Sequence, residues 1–406
     1  MKKSELTRML AGAVIAGAVL VGCSSTDSDA TTEEAPVEET AEAETEVSSE
    51  ETEGAEEFNV EESAAATQLQ AYKAITEELA KASEGQEVDW ELASTTYTND
   101  LQSAVNTVSG DLDQMIQAAI EGGKNGEIEG IIAKQLVDKT TQSYFYQVQK
   151  GLQKETATAL EEGNADAAKE AFEQIKYLST ELFIPTAVKR DGYYELSGGA
   201  SLEENINAGL AAQEEALNAG NTDEFKVFVQ LTDKSIYRSY YLASNSYAEK
   251  IATAVEEGKE ELDLQNMQAE AFGFYQAIKG SLSGGDEEAA TKLDTIFALD
   301  QTNAVDIDPE EVSSLFVKAI VGKVSGYHEK APVSLEEGNV TDARVQSLEG
   351  NMFLKMIEIE LVKALGEEKA AETFENAEAW FKAISEENAE EAKTLSEAVL
   401  AVVNEL

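Results

Sequence analysis

The chain has 406 residues, 42% of them hydrophobic, and carries 80 acidic against 30 basic side chains for a net charge of −50. That balance excludes nucleic-acid binding, because phosphate contacts need clustered Lys and Arg, and only Arg190, Arg238 and Arg344 follow Arg8. One cysteine and one histidine exclude a disulfide framework and the usual zinc constellations.

At the start, Lys2, Lys3 and Arg8 precede an uncharged, mostly apolar stretch from Met9 to Gly22. This is the layout of a secretory signal, residues 1–22, and the stretch is too short to span a bilayer as a helix. It ends in Leu20, Val21, Gly22 and Cys23. Those four residues resemble the lipobox of bacterial lipoproteins, in which Leu, a small residue and Gly or Ala precede the Cys. The resemblance covers the first two dozen residues only. It implies cleavage before Cys23 and a diacylglycerol on its thiol, with fatty chains such as palmitate anchoring the protein on the extracytoplasmic side of the cell membrane. Two buried chains hold a protein at a bilayer where one lets go.

From Ser24 to Ser63 the chain is rich in Glu, Thr, Ser and Ala, with 16 acids and no base. A segment with so little to bury does not recover its ordering entropy, and residues 23–63 are therefore predicted to be a lipidated Cys followed by a disordered tether. Fully extended, it reaches about 130 to 140 Å. Without the signal's +2 and the tether's 16 acids, residues 64–406 still carry −36. Such a coat keeps an exported protein soluble.

Beyond residue 64 apolar residues recur at spacings of three and four among Ala, Leu, Glu, Lys and Gln, which predicts an all-α domain over 64–406. Glycines punctuate the pattern at 120–124 (IEGGK), 160–164 (LEEGN), 217–221 (LNAGN), 255–259 (VEEGK) and 335–339 (LEEGN). Each Gly suits a left-handed helix end, with a capping residue often next, so these read as hairpin corners. Residues 135–163 align without gaps to 230–258, with 11 of 29 positions identical, Asp138 and Lys139 matching Asp233 and Lys234 and Tyr146 matching Tyr241. "LSGG" follows each copy, at 196–199 and 282–285, and a fainter third copy ends at 335–339. Stacked hairpins in a helical-repeat bundle follow, with related repeats at about 133–199, 228–285 and 312–350.

Tyr144, Phe145 and Tyr146 in one copy and Tyr237, Tyr240 and Tyr241 in the next are the most conspicuous clusters. Tyr237, Tyr240 and Tyr241 share a helical face beside Arg238. Either they line a groove for a flat cofactor or a glycan, or they pack between repeats with their hydroxyls on polar partners. The Asp138–Lys139 and Asp233–Lys234 pairs suit surface or inter-repeat contacts, and Trp90 and Trp380 suit a core. Ligand-binding candidates are thus Tyr146, Tyr237, Arg238, Tyr241 and His328. His328 is expected to be exposed if it is not a ligand, and Pro332, four residues on, takes away the partner of its carbonyl and should kink or stop the helix. Asp300, Asn303, Asp306 and Asp308 offer oxygen ligands of the kind calcium prefers, without the glycine of a calcium loop. Against that, Asp308 also suits a helix cap ahead of Pro309.

No catalytic constellation emerges. A triad has only His328 to use, the thiol is committed to lipid, and no Gly-rich phosphate loop follows a strand. The expected function is a lipid-anchored, extracytoplasmic, non-catalytic binding or scaffolding module at the cell surface, holding a surface protein or small ligand. The rival expectation is an accessory lipoprotein presenting carboxylates and tyrosines to a cation, iron or haem beside a transporter; third is an enzyme of unrecognised type.

Overall fold

The computed structural model describes residues 58–406, and among them every regular element is a helix. The signal, Cys23 and the acidic stretch to residue 57 lie outside the described residues. Regular structure among the described residues begins a little before residue 64, inside the stretch predicted to be tether: Asn59 caps a short turn over Val60–Glu62, and Ser63 then caps the first long helix by accepting from the Ala66 amide at 3.2 Å.

In chain order the α-helices are α1 (Ala64–Ala80), α2 (Trp90–Asp100), α3 (Gln102–Val108), α4 (Gly110–Asn125), α5 (Gly130–Glu161), α6 (Ala165–Leu178), α7 (Ile184–Tyr194), α8 (Leu202–Asn218) and α9 (Thr222–Glu256). They continue as α10 (Glu261–Gln276), α11 (Lys279–Ser283), α12 (Glu287–Phe297), α13 (Pro309–Glu336), α14 (Val340–Met356), α15 (Glu358–Leu365), α16 (Glu367–Ser385) and α17 (Ala389–Val403). The three long helices α5, α9 and α13 are the related copies, and each turns at a glycine into a shorter antiparallel partner. Gly163, Gly220, Gly258 and Gly338 hold positive φ at four of the expected corners.

The first corner is displaced from its predicted place. Gly126, with φ 72°, ends α4, while Gly122 and Gly123 lie inside it. Packing sets this choice: a Cβ on Gly122 would lie 2.6 Å from the Ile128 side chain, and one on Gly123 would lie 2.3 Å from the Trp90 ring. Those glycines are there for close approach, and the turn went to the next one.

Helix α9 is the axis of the molecule. It packs against α5, α7, α8, α10, α13 and α14, and every residue from Leu231 to Ser246 is buried. A helix buried all round is ordinarily apolar; this one carries Asp233, Lys234, Arg238, Asn245 and several serines into the interior. One continuous apolar core runs from Ala65 to Val403. A satellite cluster joins Ala331 and Ala343 to Trp380, Ile384 and Ala392.

Of the two outcomes expected at Pro332, a kink or a stop, the stop does not occur: α13 continues to Glu336. The missing hydrogen bond falls near the helix's C-terminal end, and the adjacent Ala331 is fully buried in the Trp380 cluster, which holds the last turn in place.

Candidate functional site

The repeat carries a buried acid–tyrosine joint. In its first occurrence, Tyr72 of α1 donates to Asp138 Oδ1 of α5 at 2.5 Å, and Gln142 donates to the same oxygen at 2.8 Å. One repeat later, Tyr146 of α5 donates to Asp233 Oδ1 of α9 at 2.7 Å. The next tyrosine in register, Tyr241 of α9, donates to Glu360 of α15 at 2.7 Å. Each tyrosine thus reaches from one helix to a carboxylate on a later helix. A basic group pairs with the carboxylate in the first two joints, Lys139 and Lys134 at Asp138 and Lys234 at Asp233; in the third, Arg238 and Lys355 pair with Glu358, and Glu360 has no ion pair among the described residues, so burial holds its carboxyl above the usual range.

The middle joint is the most enclosed. Lys234 Nζ lies 2.6 Å from Asp233 and 2.8 Å from Glu349, with Lys234 and Asp233 side chains 7% and 5% exposed. Burial alone would lower the Lys234 ammonium, but the two carboxylates beside it hold it above its usual range. For Asp233 burial pushes the other way too, and Lys234 with the more distant Lys150 still keeps it ionised. In this interior a hydrogen-bonded ion pair persists where a lone charge would be expelled.

This geometry places the tyrosine candidates in the core. Tyr146, Tyr237 and Tyr241 are each at most 1% exposed, and Tyr237 and Tyr241 meet Phe353 and Phe316 edge to face at 5.4 and 5.1 Å. Arg238, also 1% exposed, donates to the Ala200 carbonyl at 3.1 Å and pairs with Glu358 at 3.2 Å. Tyr146, Tyr237, Arg238 and Tyr241 are therefore all interior residues, held by contacts within the protein. His328 stands apart from them.

His328 is buried rather than exposed. Its ring stacks on Trp380 at 3.7 Å and its Nδ1 lies 2.8 Å from the Ser396 hydroxyl. Burial pushes its pKa down to about 3, so the imidazole is neutral in the folded protein. The unfolded ring takes a proton below about pH 6.5, so stability is complete above that pH and falls by about 1.4 kcal/mol per unit as the solution is acidified. Urea midpoints for the protein and a His328→Asn variant should show the native protein losing about 2 kcal/mol more than the variant between pH 7 and pH 5. Identical pH slopes would rule out a neutral, buried histidine.

The oxygen donors of the 300–308 stretch do not converge. Asn303 donates to Asp306 at 3.1 Å and Asp308 accepts from the Glu310 amide at 2.9 Å as the cap of α13, while Asp300 lies in the preceding turn. Among the described residues no group of three or more His, Cys, Asp or Glu side chains is gathered to hold a metal. Two surface hollows, of about 520 and 540 Å³, open to solvent near Thr67 and Asn99 and near Asp286 and Thr291.

One arrangement has no counterpart in the sequence reading. Arg190 of α7 is 8% exposed, yet among the described residues it has no ion pair and no hydrogen-bond partner, and its Nε is enclosed. Its guanidinium carbon lies 5.4 Å from the Phe274 ring centre, and the Tyr247 ring stacks beside that ring at 6.3 Å. Lys250, one turn beyond Tyr247 on α9, sits 4.3 Å from the Tyr247 centre and 4.6 Å from that of Tyr193, again without an ion pair. The neighbouring Asp191 is spent elsewhere, accepting the Leu202 amide at 2.8 Å and the Ser201 hydroxyl at 2.7 Å at the start of α8. A π-helical turn over Ser179–Phe183 leads into α7, a distortion common near functional sites. The only signal in the sequence is "KRDGYY", residues 189–194, where a lone Arg beside Asp reads as an ordinary pair.

Compared with protein-family models, curated proteins and solved structures, the chain finds no match.

Proposed function

We propose that this protein is a lipid-anchored, extracytoplasmic, non-catalytic module that binds or scaffolds a partner at the cell surface. The observation carrying that reading is the succession of acid–tyrosine joints, Tyr72 to Asp138, Tyr146 to Asp233 and Tyr241 to Glu360. They tie α1 to α5, α5 to α9 and α9 to α15, so the outward faces of these helices keep fixed relative positions. Most of the acid surplus is borne on those faces, and a partner with a basic surface is the electrostatic complement.

Anchoring is tested by cell fractionation of the full-length protein and its Cys23→Ser variant. The native protein should sediment with membranes and the variant should leave that fraction or stay unprocessed; unchanged membrane retention would refute the lipid anchor. Binding is tested by cross-linking on intact cells, followed by washing at rising salt. A basic surface protein released as salt screens the contact supports the module. Failure to trap any partner at low salt would oppose it.

A further inference from the structure

An unpaired arginine in the interior is out of place in this chain. Acids outnumber bases by more than two to one, and Arg238 and Arg344 each meet a glutamate, at 3.2 and 2.7 Å. Burying a cation without a partner is costly, which sets Arg190 apart from the other two arginines of the described residues. Lys250 also lacks an ion pair among the described residues: it is half-buried, and burial and the positive charge of Arg190 outweigh the nearby Glu270 and Glu249 in lowering its ammonium below its usual range. Two cations that repel each other are held close by rings, with Lys139 facing the same Phe274 centre at 5.1 Å.

We propose that Arg190 and Lys250 form a binding site for a small organic carboxylate, the acid held by the guanidinium and ammonium groups and its apolar body laid on Tyr193 and Tyr247. The guanidinium's planar edge matches a carboxylate's two oxygens. Around the two cations Tyr193 is 46% exposed, Tyr247 is partly buried and Phe274 is 2% exposed, so the rings run from the surface into the interior. Charge selects the class. Glu270 accepts from the Tyr247 hydroxyl and Glu249 adjoins Lys250, so two negative groups stand beyond the cations. They repel a dianion more strongly than a monoanion, which favours a carboxylate over a phosphate. The site is separate from the acid–tyrosine joints and independent of the partner protein proposed above.

The test is fluorine NMR of the detergent-solubilised full-length protein with 4-fluorobenzoate, and competition by inorganic phosphate. Saturable broadening of the fluorine line is expected, with affinity at least tenfold weaker in Arg190→Gln and several-fold weaker in Lys250→Met. Lys250 is partly exposed, so its variant keeps the test alive if Arg190→Gln fails to fold, and thermal melts report folding for both. No saturable binding, or binding that both variants leave unchanged, would overturn the site. Phosphate displacing the probe at equal or lower concentration would overturn the carboxylate assignment.

Discussion

Replacing Lys234 with methionine is expected to cost about 3 to 5 kcal/mol of folding stability, the usual penalty for leaving a buried charge without its partner. Without the ammonium, Asp233 and Glu349 face each other inside the bundle, and only the Tyr146 hydroxyl still donates to Asp233. The first repeat supplies an internal comparison. There Asp138 has two lysines, Lys139 at 2.8 Å and Lys134 at 3.3 Å, with side chains 13% and 19% exposed. Lys139→Met leaves Lys134, Tyr72 and Gln142 on the carboxylate, so a loss of about 1 kcal/mol is expected. Urea unfolding of the two variants should rank them in that order; equal losses would mean that the enclosure of the second joint has no energetic consequence.

The second large effect concerns a crossing of backbones. A Cβ on Gly322 of α13 would lie 2.2 Å from the Gly285 carbonyl oxygen, and one on Gly285 would lie 2.0 Å from the Ala319 carbonyl oxygen. Neither clash involves a flexible side-chain end, so relief requires α13 to move away from the segment after α11. Gly322→Ala should therefore destabilise by about 3 kcal/mol, at the upper end of overpacking costs. Gly326, one turn further along the same helix, has nothing within 4 Å of its virtual Cβ. The same substitution there should stabilise by about 0.5 to 1 kcal/mol through helix propensity. Losses of similar size at both positions would show that the crossing is not backbone-tight.

This crossing also separates the two LSGG copies, which read alike in sequence. At 196–199 the motif supplies a turn, with Gly198 at φ 58°, whereas at 282–285 Gly285 lets a helix approach. Glycine is common to both because it lacks a side chain, but one use concerns backbone angles and the other space.

Helix type and four corners were legible because they rest on local chemistry: spacing of apolar residues, capping side chains and left-handed glycines. The displaced corner at Gly126 was not, since the choice among Gly122, Gly123 and Gly126 depends on where Ile128 and Trp90 land. Periodicity does not reveal the burial of α9: its polar residues lie in the interior because partners from α5, α14 and α15 pack around it. The Asp–Lys pairs are legible as surface or inter-repeat contacts, but the tyrosine that carries each one across to another helix comes from 66 or 87 residues away. His328 and Arg190 escaped for the same reason: a lone polar residue shows nothing in sequence of what will cover it.

Asp233 and Lys234 are neighbours on α9 that carry the second joint, Asp233 bonded to Tyr146 of α5 and Lys234 to Glu349 of α14, and a thermodynamic cycle across the two probes the buried pair most directly. Asp233→Asn, Lys234→Met and the double variant would be compared by urea unfolding. Neutralising Asp233 removes one of the charges that Lys234→Met leaves exposed to each other, so the double variant should lose at least 2 kcal/mol less than the sum of the single losses. Additive losses, agreeing within about 0.5 kcal/mol, would contradict the pairing.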